Sequence, residues 1–506
     1  MTPDTAEMAA LPSTAIERST RPPITSRAGE LDRWAASGAA TRTGAPRVLA
    51  RADAVARARW RAWAADEARV RAARESVRAL AGSRALVWLA GSGTLALFGY
   101  SVRKAFDPPG VTRGFGWLGD LFAGPAARWD ASWYLAIAHY GYRPDLGAVT
   151  APRTAFFPVY PLALGGVSRL GLAPVLAGVL ISVAALGLAL YGIHRLTALE
   201  FGRRTSERSR AGEAARLAVL LTAFAPMAVF LSAVYSESLF LALSVALFWS
   251  ARQGRWAIAG VAAALAGATR SAGVVLLLPA AILYLYGPRE DRLPELREGA
   301  REGVGRARAA LRALRPRYRL RRDAVWLALA PVGLAIYMGY LALAGGDALA
   351  PFRAQVAWGR HFAGPYAAVW DGAKAAWAGL RQLLLLHGHH VYFPAASGSP
   401  DVAAGHNLLL AGFLIAAAVA LLGVLRTLPL AYGAYVIAAL AMPLSYPVAA
   451  QPLMSLPRFL LVLFPLTMWL AGWLAARPRL RTPALALSAL LMALFAAQFS
   501  AWHWVA

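Results

Sequence analysis

Residues 173–200 read APVLAGVLISVAALGLALYGIHRLTALE, an apolar run long enough for one helix to cross a bilayer. Comparable runs of roughly 18 to 25 residues recur along the chain. The 506 residues are 58% hydrophobic and only 15% charged, with a mean hydropathy of +0.48. The pattern predicts an all-α, polytopic transmembrane helical bundle and excludes a soluble multidomain protein.

The distribution of basic residues predicts the orientation of the bundle. A net charge of +26 is compatible with nucleic-acid binding, but the arginines concentrate between the apolar runs. Residues 289–322 hold twelve Arg against five acids, as expected of a cytoplasmic loop. With a cytoplasmic N-terminus and about 11 spans, all the basic loops lie inside. Five segments then lie outside: 103–172, the turn at Tyr235, the turn between two short helices at Arg270, 345–401 and 451–458.

The N-terminal part divides by composition into two segments. Residues 1–50 are rich in Ser, Thr, Pro and Gly and are predicted to be a disordered cytoplasmic tail. Residues 51–83 are predicted to form a basic juxtamembrane helix, which either lies on anionic lipid or is a solvated tail that fixes orientation. Residues 84–506 form the transmembrane domain, whose first outer loop is large. The chain has no Cys, so disulfides and thiol chemistry are excluded.

Several motifs on the outer side occur in an order typical of one family. They are ARWDASWYLAIAHYGY (127–142), FFPVYPL (156–162), YSESLFLAL (235–243), AGATRSAG (266–273) and SLPRFLLVLFPL (455–466). Together they resemble the bacterial branch of the PIG-V-type mannosyltransferases, the family of GPI mannosyltransferase II, over about residues 85–505. That family belongs to the GT-C class of membrane glycosyltransferases.

The resemblance implies a hexosyltransferase of the bacterial plasma membrane with an extracytoplasmic active site. The donor would be a polyprenyl-phosphate-linked hexose, with mannose as the expected sugar. The acceptor would be an envelope glycolipid or glycan, and the partners include the lipid bilayer but no nucleic acid. Transfer would be a single inverting displacement, which needs a general base, cations for the phosphate and a surface for the sugar.

Asp130 is the predicted general base, and helix N-capping is the alternative for an Asp in this position. Arg270 interrupts an apolar run and is predicted to bind the donor phosphate, with snorkelling to the interface as the alternative. Arg360 and Arg458 are further phosphate-binding candidates, although Arg458 is equally placed to anchor its span at the interface. The sequence makes no cofactor certain. Asp120 is a candidate ligand for a divalent Mg²⁺ or Mn²⁺ ion, and the alternatives are an acceptor contact or a solvated loop acid.

A second set of side chains is predicted to contact the sugar or the acceptor. The aromatic members are equally typical of the interfacial belt of any membrane protein. His139 follows Asp130 by nine positions, and we expect both side chains on one helix face. The set is Arg128, Trp129, Trp133, Tyr134, His139, Glu237 and His361. Three further histidines, His387, His389 and His390, suggest loop polarity or acceptor contacts rather than a metal site.

Two other functional classes fit the composition. A lipid-linked saccharide flippase or transporter would spread intramembrane charges along a path and would tolerate replacement of Asp130. A non-catalytic scaffold would use the first outer loop only for partner binding. Within the GT-C class, glucose or arabinose is the alternative to mannose.

Overall fold

The chain is built from helices. A computed structural model describes residues 65–101, 107, 109–143, 151–203, 208–293, 315–385, 400–448 and 451–506. These residues contain isolated β-bridges but no β-strand. The predicted all-α fold is confirmed. The predicted tail, residues 51–64 and His387, His389 and His390 lie outside the described residues.

The described residues form seventeen α-helices, joined by short 3-10 segments. They are α1 (Glu67–Phe98), α2 (Gly116–Ala123), α3 (Ala131–Tyr140), α4 (Val159–Ser168), α5 (Pro174–Gly202), α6 (Arg208–Ala223), α7 (Glu237–Arg252), α8 (Trp256–Gly267), α9 (Leu277–Tyr286), α10 (Val332–Gly345), α11 (Ala350–Arg353), α12 (Ala367–Leu385), α13 (Pro400–Thr427), α14 (Leu430–Leu444), α15 (Leu456–Leu461), α16 (Phe464–Ala475) and α17 (Pro478–Ser500). The 3-10 segments are Pro152–Ala155, Ala228–Leu231, Ser271–Leu276, Arg322–Leu329 and Ala354–Trp358.

Three of the described helices are long and apolar enough to cross a membrane, namely α5, α13 and α17. A fourth candidate is the pair Arg322–Leu329 and Val332–Gly345, which is bent by 43°. The described residues also contain five shorter apolar helices of 10–17 residues. The transmembrane character predicted from the apolar runs is confirmed, and the number of about 11 spans stays a prediction.

α1 runs without a break across the predicted boundary between residues 83 and 84. At that point the buried Arg84 donates from Nη1 to the Ala228 carbonyl, at 2.7 Å, and from Nη2 to the Ala223 carbonyl, at 2.9 Å. Ala223 is the last residue of α6, where backbone carbonyls have lost their helical partners. Arg84 therefore stabilises the break between α6 and the following 3-10 segment.

α7 carries a buried ion pair at each end. Glu237 opens its first turn, and Arg252 closes its last. Arg252 Nε donates to Glu200 Oε1 at 2.6 Å, and the Tyr432 hydroxyl donates to the same oxygen at 2.8 Å. An acid at the N-terminus and a cation at the C-terminus both complement the helix dipole.

The apolar run from residue 257 to 286 is interrupted at Arg270, as predicted. α8 ends at Gly267, and Arg270 is extended (φ −154°, ψ 148°) before the next 3-10 segment begins. The chain folds back so closely that a Cβ on Gly273 would lie 2.2 Å from the Ala266 carbonyl carbon. Glycine at 273 is therefore required by the close approach of the two backbones.

Candidate active site

Two carboxylates and two guanidinium groups form one chain of ion pairs, here called the Asp130 cluster (Asp130, Arg458, Glu237 and Arg270). Arg458 Nη1 donates to Asp130 Oδ2 at 2.6 Å, and Arg458 Nε donates to Glu237 Oε1. Arg270 Nη1 donates to the same Glu237 oxygen at 2.6 Å. The structure thus brings together the predicted base, Asp130, and two predicted phosphate-binding residues, Arg270 and Arg458, in one cluster with Glu237.

The Asp130 cluster is open at its two ends and closed in the middle. The side chains of Asp130 and Arg270 are 21% and 15% exposed, whereas Glu237 is fully buried. Glu237 Oε2 has no hydrogen-bond partner among the described residues. A buried carboxylate is tolerated only with strong compensation, which the two guanidinium groups and the N-terminus of α7 supply.

Asp130 occupies the N-cap position of α3, but its side chain makes no capping hydrogen bond. Its carboxylate is directed to Arg458 instead. The preceding residue, Trp129, has φ +56°, a left-handed conformation that is unusual for a bulky side chain. The Tyr235 hydroxyl spans this kink, accepting from the Asp130 N–H and donating to the Arg128 carbonyl, both at 3.0 Å.

Arg360 lies beside the Asp130 cluster, on the segment that precedes α12. Its guanidinium donates to the carbonyls of Tyr446 and Met454, both at 3.3 Å. It also lies 5.8 Å from the Phe459 ring centroid, and Arg270 is 5.9 Å from the same centroid. Burial, with a smaller contribution from the Arg458 charge, lowers the pKa of Arg360 to about 10. Arg360 is therefore still a cation at neutral pH.

Arg128 was predicted to contact sugar, but the structure buries it completely. Its guanidinium packs between the rings of Tyr100 and Trp502, at 4.4 and 4.8 Å, and donates to the Tyr100 hydroxyl and to the Ser500 carbonyl. Asp107, also fully buried, completes its surroundings at 3.5 Å. Arg128 therefore holds the segment before α3 against the end of α17.

The aromatic residues of the motif separate into three environments. Trp129 packs edge-on against Trp502 and Trp504, at 5.6 and 5.4 Å between ring centroids. Tyr134 is buried, and its hydroxyl pairs with Ser236. Trp133 remains partly exposed. It stacks on Phe156 at 5.7 Å and meets Trp358 edge-on at 6.3 Å. Trp129 is partly exposed as well, and Tyr140 at the end of the motif is exposed.

Two predicted histidines do not join the Asp130 cluster. His139 is exposed and packs on the Tyr140 ring, at 4.4 Å. The expectation that His139 shares a helix face with Asp130 is wrong, since nine residues correspond to two and a half turns and end on the opposite side. His361 is likewise exposed, although it directly follows Arg360.

Asp120 has a local structural role. Its Oδ1 accepts from the backbone amides of Gly114 and Phe115, at 2.8 and 3.1 Å. The described residues contain no group of three or more His, Cys, Asp or Glu side chains that could hold a metal ion, and the carboxylates of the Asp130 cluster are bonded to guanidinium groups. The donor set of the Asp130 cluster therefore does not fit a divalent ion.

The sequence reasoning missed Tyr235 and Phe459 as functional candidates. Tyr235 contacts the Asp130 backbone and also lies 4.7 Å beneath the Arg458 guanidinium. Its only sequence signal was its place in the YSES turn, two residues before Glu237.

Part of the chain is similar to known proteins. Residues 84–283 match the mannosyltransferase (PIG-V) family. They include Asp130, Glu237 and Arg270, whereas Arg360 and Arg458 lie beyond the matched segment. The predicted resemblance to PIG-V-type mannosyltransferases is confirmed.

Individual relatives are similar over a comparable length. GPI alpha-1,6-mannosyltransferase 2 of Rattus norvegicus is 33% identical over 183 residues, which are 34% of each chain. The Mus musculus protein of that name is 35% identical over 159 residues, or 30% of each chain, and the Homo sapiens protein is 32% identical over 185 residues, or 34% of each. The matched segment thus spans about a third of the length of these relatives.

Proposed function

We propose that this protein transfers mannose from a polyprenyl-phosphate-linked donor to an envelope glycolipid or glycan at the extracytoplasmic face. One observation carries the proposal. Each of the five segments predicted to lie outside supplies a residue to the Asp130 cluster or its border, namely Asp130, Glu237, Arg270, Arg360 and Arg458. A carboxylate base beside anion-binding guanidinium groups is what transfer from a phosphate-linked sugar requires.

The charges of the site suit this donor. Arg270, Arg360 and Arg458 contribute three positive charges, while Asp130 and Glu237 contribute two negative ones, leaving a surplus of one. A polyprenyl-phosphate sugar is a phosphodiester with one negative charge, so the loaded site is neutral. Guanidinium groups bind phosphate oxygens in pairs of hydrogen bonds, and Arg270 retains further donors at its exposed end.

In the proposed reaction the acceptor hydroxyl attacks the anomeric carbon from the side opposite the phosphate. The bond from that carbon to the phosphate oxygen breaks, and its electron pair stays on the departing polyprenyl phosphate. The hydroxyl proton passes to Asp130. The phosphate gains one negative charge as Asp130 loses one, so the site stays neutral throughout, and the anomeric configuration is inverted.

Transfer is tested with the purified protein, radiolabelled polyprenyl-phosphate-mannose and fractionated envelope lipids. We expect label to move into an acceptor fraction, with release of polyprenyl phosphate. Polyprenyl-phosphate-glucose and polyprenyl-phosphate-arabinose serve as competing donors, and use of either in place of mannose would overturn the choice of sugar. Absence of transfer from all three donors, in conditions that support a related transferase, would refute the proposed activity.

The proposed orientation predicts opposite labelling of two exposed positions. Because the chain has no Cys, His139→Cys and Arg479→Cys each introduce a single thiol at an exposed site. We expect a membrane-impermeant maleimide to label His139→Cys from the extracytoplasmic side and Arg479→Cys only after permeabilisation. The reverse pattern would show that the Asp130 cluster faces the cytoplasm.

A further inference from the structure

Tyr235 holds the backbone on both sides of the strained residue before Asp130. Its hydroxyl accepts from the N–H that follows Trp129 and donates to the carbonyl that precedes it, each at 3.0 Å. Trp129 between them has φ +56°. A bulky residue keeps a left-handed conformation only where its surroundings impose it. The hydroxyl of Tyr235 contributes to this restraint, together with the Ser132 hydroxyl, which donates to the Trp129 carbonyl at 2.9 Å.

The same side chain also supports the partner of Asp130. The Arg458 guanidinium lies over the Tyr235 ring, 4.7 Å from its centroid, while donating to the Asp130 carboxylate. Tyr235 is fully buried, so it acts on the Asp130 carboxylate through the Asp130 backbone and the Arg458 guanidinium. Tyr235 thus holds the backbone of Asp130, and it also supports the Arg458 guanidinium, which orients the Asp130 carboxylate.

We propose that Tyr235 is a positioning residue for the transfer reaction, setting the Asp130 carboxylate by bridging the left-handed Trp129. The inference rests on the proposed function, in which Asp130 accepts the proton of the acceptor hydroxyl. Proton transfer requires the base within hydrogen-bond reach of that hydroxyl, and a displacement of about 1 Å can lower the rate on the order of 100-fold.

The variant Tyr235→Phe removes the hydroxyl and keeps the ring beneath Arg458. We expect kcat to fall about 10- to 100-fold, with KM for the donor changed less than about twofold because the phosphate-binding arginines remain in place. Tyr337→Phe is the matched control. It removes a buried hydroxyl whose hydrogen bonds go to the Thr154 backbone carbonyl, at 2.9 Å, and to Tyr142, outside the Asp130 cluster. Its kcat is expected to match that of the wild type.

A double variant separates positioning from a general loss of structure. If Tyr235 acts through Asp130, Tyr235→Phe combined with Asp130→Asn is no slower than Asp130→Asn alone, because the base is already absent. A further loss equal to that of Tyr235→Phe alone would overturn the proposal. So would a kcat of Tyr235→Phe equal to that of Tyr337→Phe.

Hydrogen exchange tests the bridge without relying on activity. The Asp130 amide is hydrogen-bonded to Tyr235, so its exchange in detergent is expected to accelerate in Tyr235→Phe and to stay unchanged in Tyr337→Phe. Equal exchange in the two variants would refute the bridge itself. If the wild type transferred no sugar while the exchange difference was present, the proposed function would fail and the bridge would stand as a structural feature only.

Discussion

Replacing Asp130 with Asn is expected to lower the rate of mannose transfer by about 10²- to 10⁴-fold. The carboxamide keeps an oxygen that can accept from Arg458 Nη1, so the geometry of this hydrogen bond is largely preserved without the negative charge. What is lost is the capacity to take the proton of the acceptor hydroxyl. Initial rates with labelled donor measure the effect, and donor KM is expected to change little, since the arginines that hold the phosphate are intact.

Asp120→Asn is the matched control for this prediction. Asp120 lies ten positions before Asp130, but its Oδ1 accepts from two backbone amides and is not part of the Asp130 cluster. Asn retains an acceptor at that position, so transfer is expected to stay within about threefold of wild type. Equal rates for Asp130→Asn and the wild type would remove Asp130 as the base while leaving the class of enzyme untouched.

The second large effect is expected from Glu237→Ala. This change leaves Arg270 without its carboxylate and Arg458 with only Asp130, in a part of the site where Arg458 is 8% exposed. Removing one partner of a buried ion pair costs about 3–5 kcal/mol because a buried charge remains uncompensated. We expect the free energy of unfolding to drop by this amount in detergent micelles, and transfer to be lost with it.

Asp371→Ala provides the comparison with an exposed pair. Asp371 and Lys374 lie 2.7 Å apart on α12, and both side chains are more than 40% exposed. Breaking such a pair costs about 0–1 kcal/mol. If Glu237→Ala were no more destabilising than Asp371→Ala, Glu237 would not be the buried anchor of the two arginines.

The candidate site was predictable in part. Hydropathy and Arg placement predicted which segments lie outside, a prediction that stays open, and the residues of the Asp130 cluster were each named from the sequence. The contacts that these and the neighbouring residues make could not be predicted from the sequence. Arg128 stands beside Trp129 in the motif, yet their environments differ. Arg128 is buried and hydrogen-bonds the end of α17, whereas Trp129 has a left-handed backbone conformation. Sequence spacing also misplaced His139, whose nine-residue offset from Asp130 leads to the opposite helix face.

The sequence by itself determined the helical membrane class and the likeness to PIG-V-type mannosyltransferases, because apolar runs and short motifs are local properties of windows of about 20 residues. Only the tertiary structure decided which charges pair. Asp130 and Arg458 are 328 positions apart, and Glu237 and Arg458 are 221 apart. Such pairings depend on how helices pack and on which carboxylate is desolvated beside which guanidinium, and no local pattern encodes either. The Tyr235 bridge across Trp129 has the same origin, since it joins positions 105 residues apart.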